Sequence, residues 1–246
     1  NTNVATRAIG NATLEYRIME GLYIKTLLGT NMRYEKSSTY LPRTIYSGVA
    51  NNGTASIYNA QNAEWLNENT ISWRKTIADV HRINAVIGYT FQNGNYEDVR
   101  ANAQNFANDI LLYNNLGTAQ QTNTGASNKN EWMLQSWIAR INYDYDGKYL
   151  LTLTGRRDGS SRFGAGNKYA FFPSGSVAWR VSNENFMSGI SAVNDLKLRA
   201  SYGLTGNQEI GQFQSLGALG TQNYNFGNTL SVGYAPNRVG NPNLKW

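Results

Sequence analysis

Few residues in this chain offer themselves for covalent chemistry. It has one histidine, His81, and no cysteine, so thiolate nucleophiles, disulfides and cysteine-based metal sites are excluded. Asp79-Val80-His81 sets a carboxylate beside an imidazole, the raw material of an acid–base pair. A Ser-His-Asp triad or a His-based metal site would have to rest on that lone imidazole, and the spacing reads instead as a turn that leaves His81 in solvent. The glycines of 159–166 lack the Lys-Ser/Thr ending and following helix of a phosphate loop, so a β-turn is expected there. Gly203, Gly206 and Gly211 read as strand bends or turns. Charged chemistry is denser at Asp146, Arg156, Arg157, Asp158 and Arg162.

The elements that hold these charges have a period of two. Trp137, Ala139, Ile141, Tyr143 and Tyr145 alternate with Ser136, Arg140, Asn142 and Asp144, Ile138 being the apolar exception. Asp146-Gly147 supplies a tight turn. Tyr149, Leu151, Leu153 and Gly155 then alternate with Thr152, Thr154, Arg156 and Asp158. Arg140, Arg156, Asp158, Arg180 and Arg199 therefore fall on polar faces and are expected to form a luminal charge network, while Arg157 falls on the apolar face, where headgroup phosphates suit a guanidinium. Trp73, Trp137 and Trp179 read as lipid-facing or belt residues.

The same alternation predicts strands over Thr13–Ile18, Leu22–Glu35, Glu64–Ile77, Arg82–Glu97, Tyr169–Val181 and Asp195–Thr205. Polar stretches at 37–63 and 99–130 are expected to be long loops, 182–194 a connector with one helical turn, and the remainder after Thr205 loop-like. Tight and long connections thus alternate, as in outer-membrane barrels with short periplasmic turns and long extracellular loops. The expected fold is all-β: an antiparallel transmembrane β-barrel segment of about eight strands. Tyr113, Tyr224 and Phe226 then lie in outward loops, where aromatic faces flanked by Asn and Gln suit ligand capture.

Composition agrees. The 246 residues are 41% hydrophobic and include 16 Tyr and 6 Trp, yet mean hydropathy is -0.50, because polar residues are interleaved with apolar ones. No run approaches the roughly 18 apolar residues of a spanning helix. The net charge of +6 comes from scattered Lys and Arg rather than a dense basic cluster, so a nucleic-acid partner is not expected. No cofactor is expected either. Residues 1–7 lack the apolar core of a secretory leader, so the chain is expected to be either cytosolic or an internal piece of something larger.

Four stretches carry a family resemblance: Arg-Arg-Asp-Gly-Ser-Ser-Arg-Phe-Gly at 156–164; Phe-Pro-Ser-Gly-Ser-Val-Ala-Trp-Arg-Val-Ser at 172–182 with Glu184, Phe186 and Met187; Leu-Lys-Leu-Arg-Ala-Ser-Tyr-Gly-Leu-Thr-Gly-Asn-Gln at 196–208 with Ile210-Gly211; and Asn-Pro-Asn-Leu-Lys-Trp at 241–246. In order and spacing the chain resembles the SusC/RagA-type TonB-dependent outer-membrane transporters of Bacteroidetes, tightly from about Asn130 onward and more loosely before it, through Tyr40-Leu-Pro-Arg43. The resemblance implies a barrel of about 22 strands with an N-terminal plug. It implies import of oligosaccharides or peptides with a SusD-type surface lipoprotein and the TonB complex as partners, in outer-membrane lipid. Residues 1–246 are then expected to be a partial barrel domain without the plug and the remaining strands. A small self-closed barrel acting as a binding or adhesion module is the alternative, and pairing of the first with the last strand would favour it. An outer-membrane enzyme is disfavoured, since His81 is the only base in the chain of its kind.

Overall fold

The computed structural model describes residues 1–190 and 192–246, with Thr124 by its backbone alone. Eight strands form one sheet in sequence order: β1 (Thr2–Met19), β2 (Leu22–Leu41), β3 (Thr54–Ile77), β4 (His81–Phe106), β5 (Ala119–Tyr145), β6 (Tyr149–Ser160), β7 (Tyr169–Arg180) and β8 (Lys197–Gly203). β5, β6, β7 and β8 pair antiparallel. A separate hairpin joins β9 (Ala218–Phe226) to β10 (Thr229–Arg238). No helix among the described residues is long and apolar enough to cross a membrane, which leaves open a crossing by strands.

The turns are set by left-handed residues. Asp146 (φ 53°) and Gly147 (φ 65°) close the β5–β6 hairpin, Lys148 N–H donating to the Tyr145 carbonyl at 2.9 Å and Gly147 N–H to the Asp144 carboxylate at 2.7 Å. Two consecutive positive φ angles match the twist of paired strands. Between β1 and β2 a single left-handed residue, Gly21 (φ +77°), makes the turn, and an added Cβ there would stand 2.1 Å from the Arg74 carbonyl oxygen.

By its contacts the chain divides into two compact units. Unit one (Asn1–Ala12, Leu28–Leu66, Asn93–Glu131) has a small core of Tyr40, Ala55, Ala103 and Phe106, with Tyr113, Leu116 and Ala119 packed on it. Unit two (Thr13–Leu27, Asn67–Gln92, Trp132–Trp246) holds the β5–β8 ladder.

Two expected loops are instead mostly strand. β2 continues to Leu41 and β3 begins at Thr54, so the 37–63 stretch keeps only a short connection with one helical turn, α1 (Tyr46–Val49). β4 runs to Phe106 and β5 starts at Ala119, which leaves 107–118 as the loop between them. These extensions are rich in small and polar residues, Asn59, Gln61, Arg100 and Lys129 among them, and their buried apolar side chains, Tyr40, Ala55, Ala103 and Phe106, are few. With so few large apolar residues no apolar face repeats at every second position, so alternation cannot report these strands. The tail past Thr205 likewise contains the β9–β10 hairpin, and the 182–194 connector has two short 3₁₀ turns, at Val181–Asn183 and Asn185–Met187.

In unit two the apolar face is the exposed one. Trp137 (52%), Ile141 (51%), Leu153 (51%), Val177 (56%) and Leu198 (55%) all lie open, whereas the buried side chains include Ser136 and Asp158. On β5 this apolar face runs from Met133 to Tyr145 with Gln135 interrupting it. At about 3.3 Å per residue and a tilt of about 45° it climbs roughly 28 Å, close to the apolar band of about 25 Å in outer-membrane barrels.

Candidate functional site

The registers place the five expected charges on one face of the unit-two sheet. Ser136 pairs with Asp158, Ile138 with Arg156 and Arg140 with Thr154 across β5–β6. Arg156 pairs with Phe172 across β6–β7, and Ala178 with Arg199 and Arg180 with Lys197 across β7–β8. The side chains do not join into one network. Arg156 Nε donates to Asp158 Oδ1 at 2.6 Å and its Nη2 to Ser136 Oγ at 3.2 Å. Arg140 turns instead to Thr154 Oγ1 at 3.3 Å. Arg180 Nε lies 3.6 Å from Asp195. Arg199 is exposed on β8, with no ion pair among the described residues. Alternation gives the face of a side chain; the spacing between strands keeps most of these charges apart.

The Arg156–Gly164 motif acts mainly as a fastener. Arg162 Nη1 donates to the carbonyls of Gln208 and Ile210, both at 3.1 Å, and its guanidinium lies 5.7 Å from the Trp132 ring centre. Phe163 is buried and packs on Trp246 at 5.0 Å, which also meets Phe172 edge-on at 5.5 Å. A Cβ on Gly164 would stand 2.1 Å from the Pro242 carbonyl oxygen, and one on Gly206 would stand 2.4 Å from the Phe172 ring. The four resemblance motifs, spread over 156–246, thus meet in one packed cluster. Beside it, Arg156, Asp158, Phe172, Gln208 and Trp246 border a cavity of about 330 Å³. Periodicity gave no sign of this cluster, because Arg162, Phe163, Gly164, Gly206 and Trp246 sit outside the strands and only Phe172 lies within one.

The expected ligand aromatics divide. Tyr113 sits in the 3₁₀ turn Leu112–Asn114, shares a hydrogen bond with Thr2 Oγ1 at 2.9 Å and packs on the unit-one core, so it anchors the loop. Tyr224 and Phe226 lie on strand β9 rather than in a loop. Their rings stack 6.4 Å apart and are 40% and 69% exposed, a flat aromatic platform. Unit one also holds a polar cluster that the alternation did not single out: the Tyr58 and Tyr96 hydroxyls lie 2.7 Å apart and Arg100 sits over the Tyr58 ring at 5.2 Å.

His81 is not a free turn residue. It opens β4, its Nδ1 lies 2.7 Å from the Tyr143 hydroxyl, and its ring packs on Tyr145 at 5.1 Å. Among the described residues no group of three or more His, Asp or Glu is placed to hold a metal. At the β5–β6 turn, Glu184 accepts from Trp179 Nε1 at 2.9 Å and from the Tyr149 hydroxyl at 2.7 Å. These two donors, the indole first, hold its carboxyl below the usual glutamate range. In the loop after β4, the Tyr40 hydroxyl donates to Asp109 at 2.7 Å. That bond, helped by Arg43, holds the Asp109 carboxyl down.

A sheet whose apolar face is exposed and whose polar face carries the charges defines a β-barrel membrane protein. No protein-family model matches the chain. It is 37% identical over its whole length to TonB-dependent receptor P26 of Formosa agariphila, of which the match covers 25%. Over 46% of its length it is 41% identical to TonB-dependent receptor SusC of Bacteroides thetaiotaomicron, covering 12% of that protein. Its fold matches the structure of the RagAB peptide transporter at a TM-score of 0.88 and 24% identity, over 99% of this chain and 27% of that one. The chain matches a segment of the SusC/RagA-type TonB-dependent receptors, outer-membrane β-barrel proteins. It spans between 12% and 27% of the length of the proteins named here, and these are receptors and transporters, not enzymes.

Proposed function

We propose that this chain is a barrel segment of a TonB-dependent importer that takes up oligosaccharides or peptides across the outer membrane. It works with a SusD-type surface lipoprotein and the TonB complex, in a barrel of about 22 strands closed by a plug. The observation that carries this reading is the agreement along the whole chain between the 37% identity to a TonB-dependent receptor and the barrel-type sheet. The edges of that sheet support a segment over a small closed barrel: in the strand order β1 and β8 stand at opposite ends, each with one neighbour among the described residues. The exposed Tyr224–Phe226 platform supports the oligosaccharide arm, since flat aromatic faces stack on sugar rings. The likeness of fold to the RagAB peptide transporter supports the peptide arm.

The test is uptake by cells lacking the full-length receptor that carries this segment. Loss of growth on one oligosaccharide or peptide source, restored by the receptor and abolished by a protonophore, is the expected result. Unchanged uptake across a panel of both classes would overturn the reading.

A further inference from the structure

The outward face of β5–β7 carries a cation where an apolar side chain would be expected. Trp137 pairs with Arg157, and Arg157 with Phe171. Trp137 and Phe171 are 52% and 61% exposed, so Arg157 stands on the apolar side of the sheet. Its guanidinium lies 4.8 Å from the centre of the Tyr169 ring. Tyr169 is itself fixed: its ring covers Gly159, where a Cβ would come within 2.4 Å, and its hydroxyl accepts from the Gln135 amide. Asp158, next in sequence, is on the opposite face and committed to Arg156. Among the described residues no carboxylate forms an ion pair with Arg157. Directly beside Tyr169 a cavity of about 180 Å³ opens, lined by Phe91, Met133, Gln135 and Lys168.

The height of this group decides what it meets. From the rim residue Tyr149 to Gly159, which pairs with Tyr169, β6 climbs roughly 23 Å at about 3.3 Å per residue and a tilt of about 45°. That reaches the far edge of an apolar band of about 25 Å, at the headgroups. An unpaired guanidinium is costly deep in hydrocarbon, and that cost falls to nearly nothing at the interface. There the stem of Arg157 lies along apolar surface while its head reaches polar atoms.

We propose that Arg157, Lys168 and Gln135, arranged around Tyr169, form a binding site for the phosphate of an outer-leaflet lipid headgroup. Guanidinium and ammonium meet the phosphate oxygens, the amide and phenol supply further hydrogen-bonding groups, and Phe91 and Met133 face the lipid's apolar part. The leaflet rests on the importer reading above; the phosphate recognition does not.

The test is native mass spectrometry of the full-length receptor in detergent. Lipid A with its phosphates is compared with the same lipid dephosphorylated, and with inorganic phosphate alone. The wild type is expected to retain phosphorylated lipid about tenfold better than the dephosphorylated form, and R157Q/K168Q to lose that preference. R140Q, on the opposite face, should retain it. Equal retention of the two lipids by the wild type overturns the proposal without need of any variant. So does an unchanged preference in R157Q/K168Q, or binding of inorganic phosphate as tight as that of the lipid. Uptake by the same receptor is measured in parallel, so a failed importer reading and a failed lipid site are told apart.

Discussion

Arg156 and Asp158 form the closest ion pair on the polar face, and their surroundings are unequal. The side chain of Arg156 is 46% exposed and that of Asp158 10%. Removing the arginine leaves a nearly buried carboxylate without its partner, whereas removing the aspartate leaves a cation that water can reach. R156Q should therefore cost about 1–3 kcal/mol and D158N less than about 1 kcal/mol, read from the denaturant midpoint of the full-length receptor in lipid. Equal costs would show that burial does not control the pair. Glu184 gives a pH dependence. Its carboxyl is held down by Trp179 and Tyr149 in the folded protein, so its contribution is present above the ordinary carboxylate range and is lost as pH falls through the lowered folded value. Hydrogen exchange at 181–190 should accelerate on acidification below about pH 4, and E184Q should remove that acid-specific step.

Along a strand the decisive variable is the face. Leu153, outward and 51% exposed, and Thr154, its neighbour on the polar face, differ by one residue. L153R should cost about 2–4 kcal/mol near the middle of the bilayer, while T154R should cost far less. Equilibrium refolding into vesicles measures both, and similar costs would contradict the assignment of faces. Turns are equally specific. Gly21 has φ +77° and an added Cβ would meet backbone, the Arg74 carbonyl oxygen at 2.1 Å, which itself belongs to a segment that hydrogen-bonds Gly21 (Arg74 N–H to the Gly21 carbonyl, 2.7 Å). Neither strain nor clash can be relieved by a rotamer, so G21A should lower the yield of folded receptor well below that of an alanine placed at Gly166, where nothing lies within 4 Å.

For the whole molecule the exposed apolar face and the two free sheet edges matter most. Leu14 (72% exposed) on β1 and Tyr202 (79% exposed) on β8 lie on those edges. In water the isolated 246-residue chain should aggregate through them. In detergent it should give no compact species whose gel migration shifts on boiling; such a species would instead support the self-closed barrel. Much of this was legible in the residues alone. Period two in β5–β8 reported strands, faces and the Asp146-Gly147 turn, because a membrane strand meets lipid on one side and polar groups on the other. It failed for the ends of β2 and β4 and the starts of β3 and β5, where small and polar residues leave no continuous apolar face and so read as loops. The sequence by itself thus determined that the strands alternate, where they turn tightly and which side chains share a face. Tertiary structure alone decided which of those side chains touch: it separated Arg140 from Arg156, anchored Tyr113, and drew Arg162, Phe163, Phe172 and Trp246 into one cluster. Such contacts depend on strand register and loop closure over long separations, and no local pattern of residues encodes them.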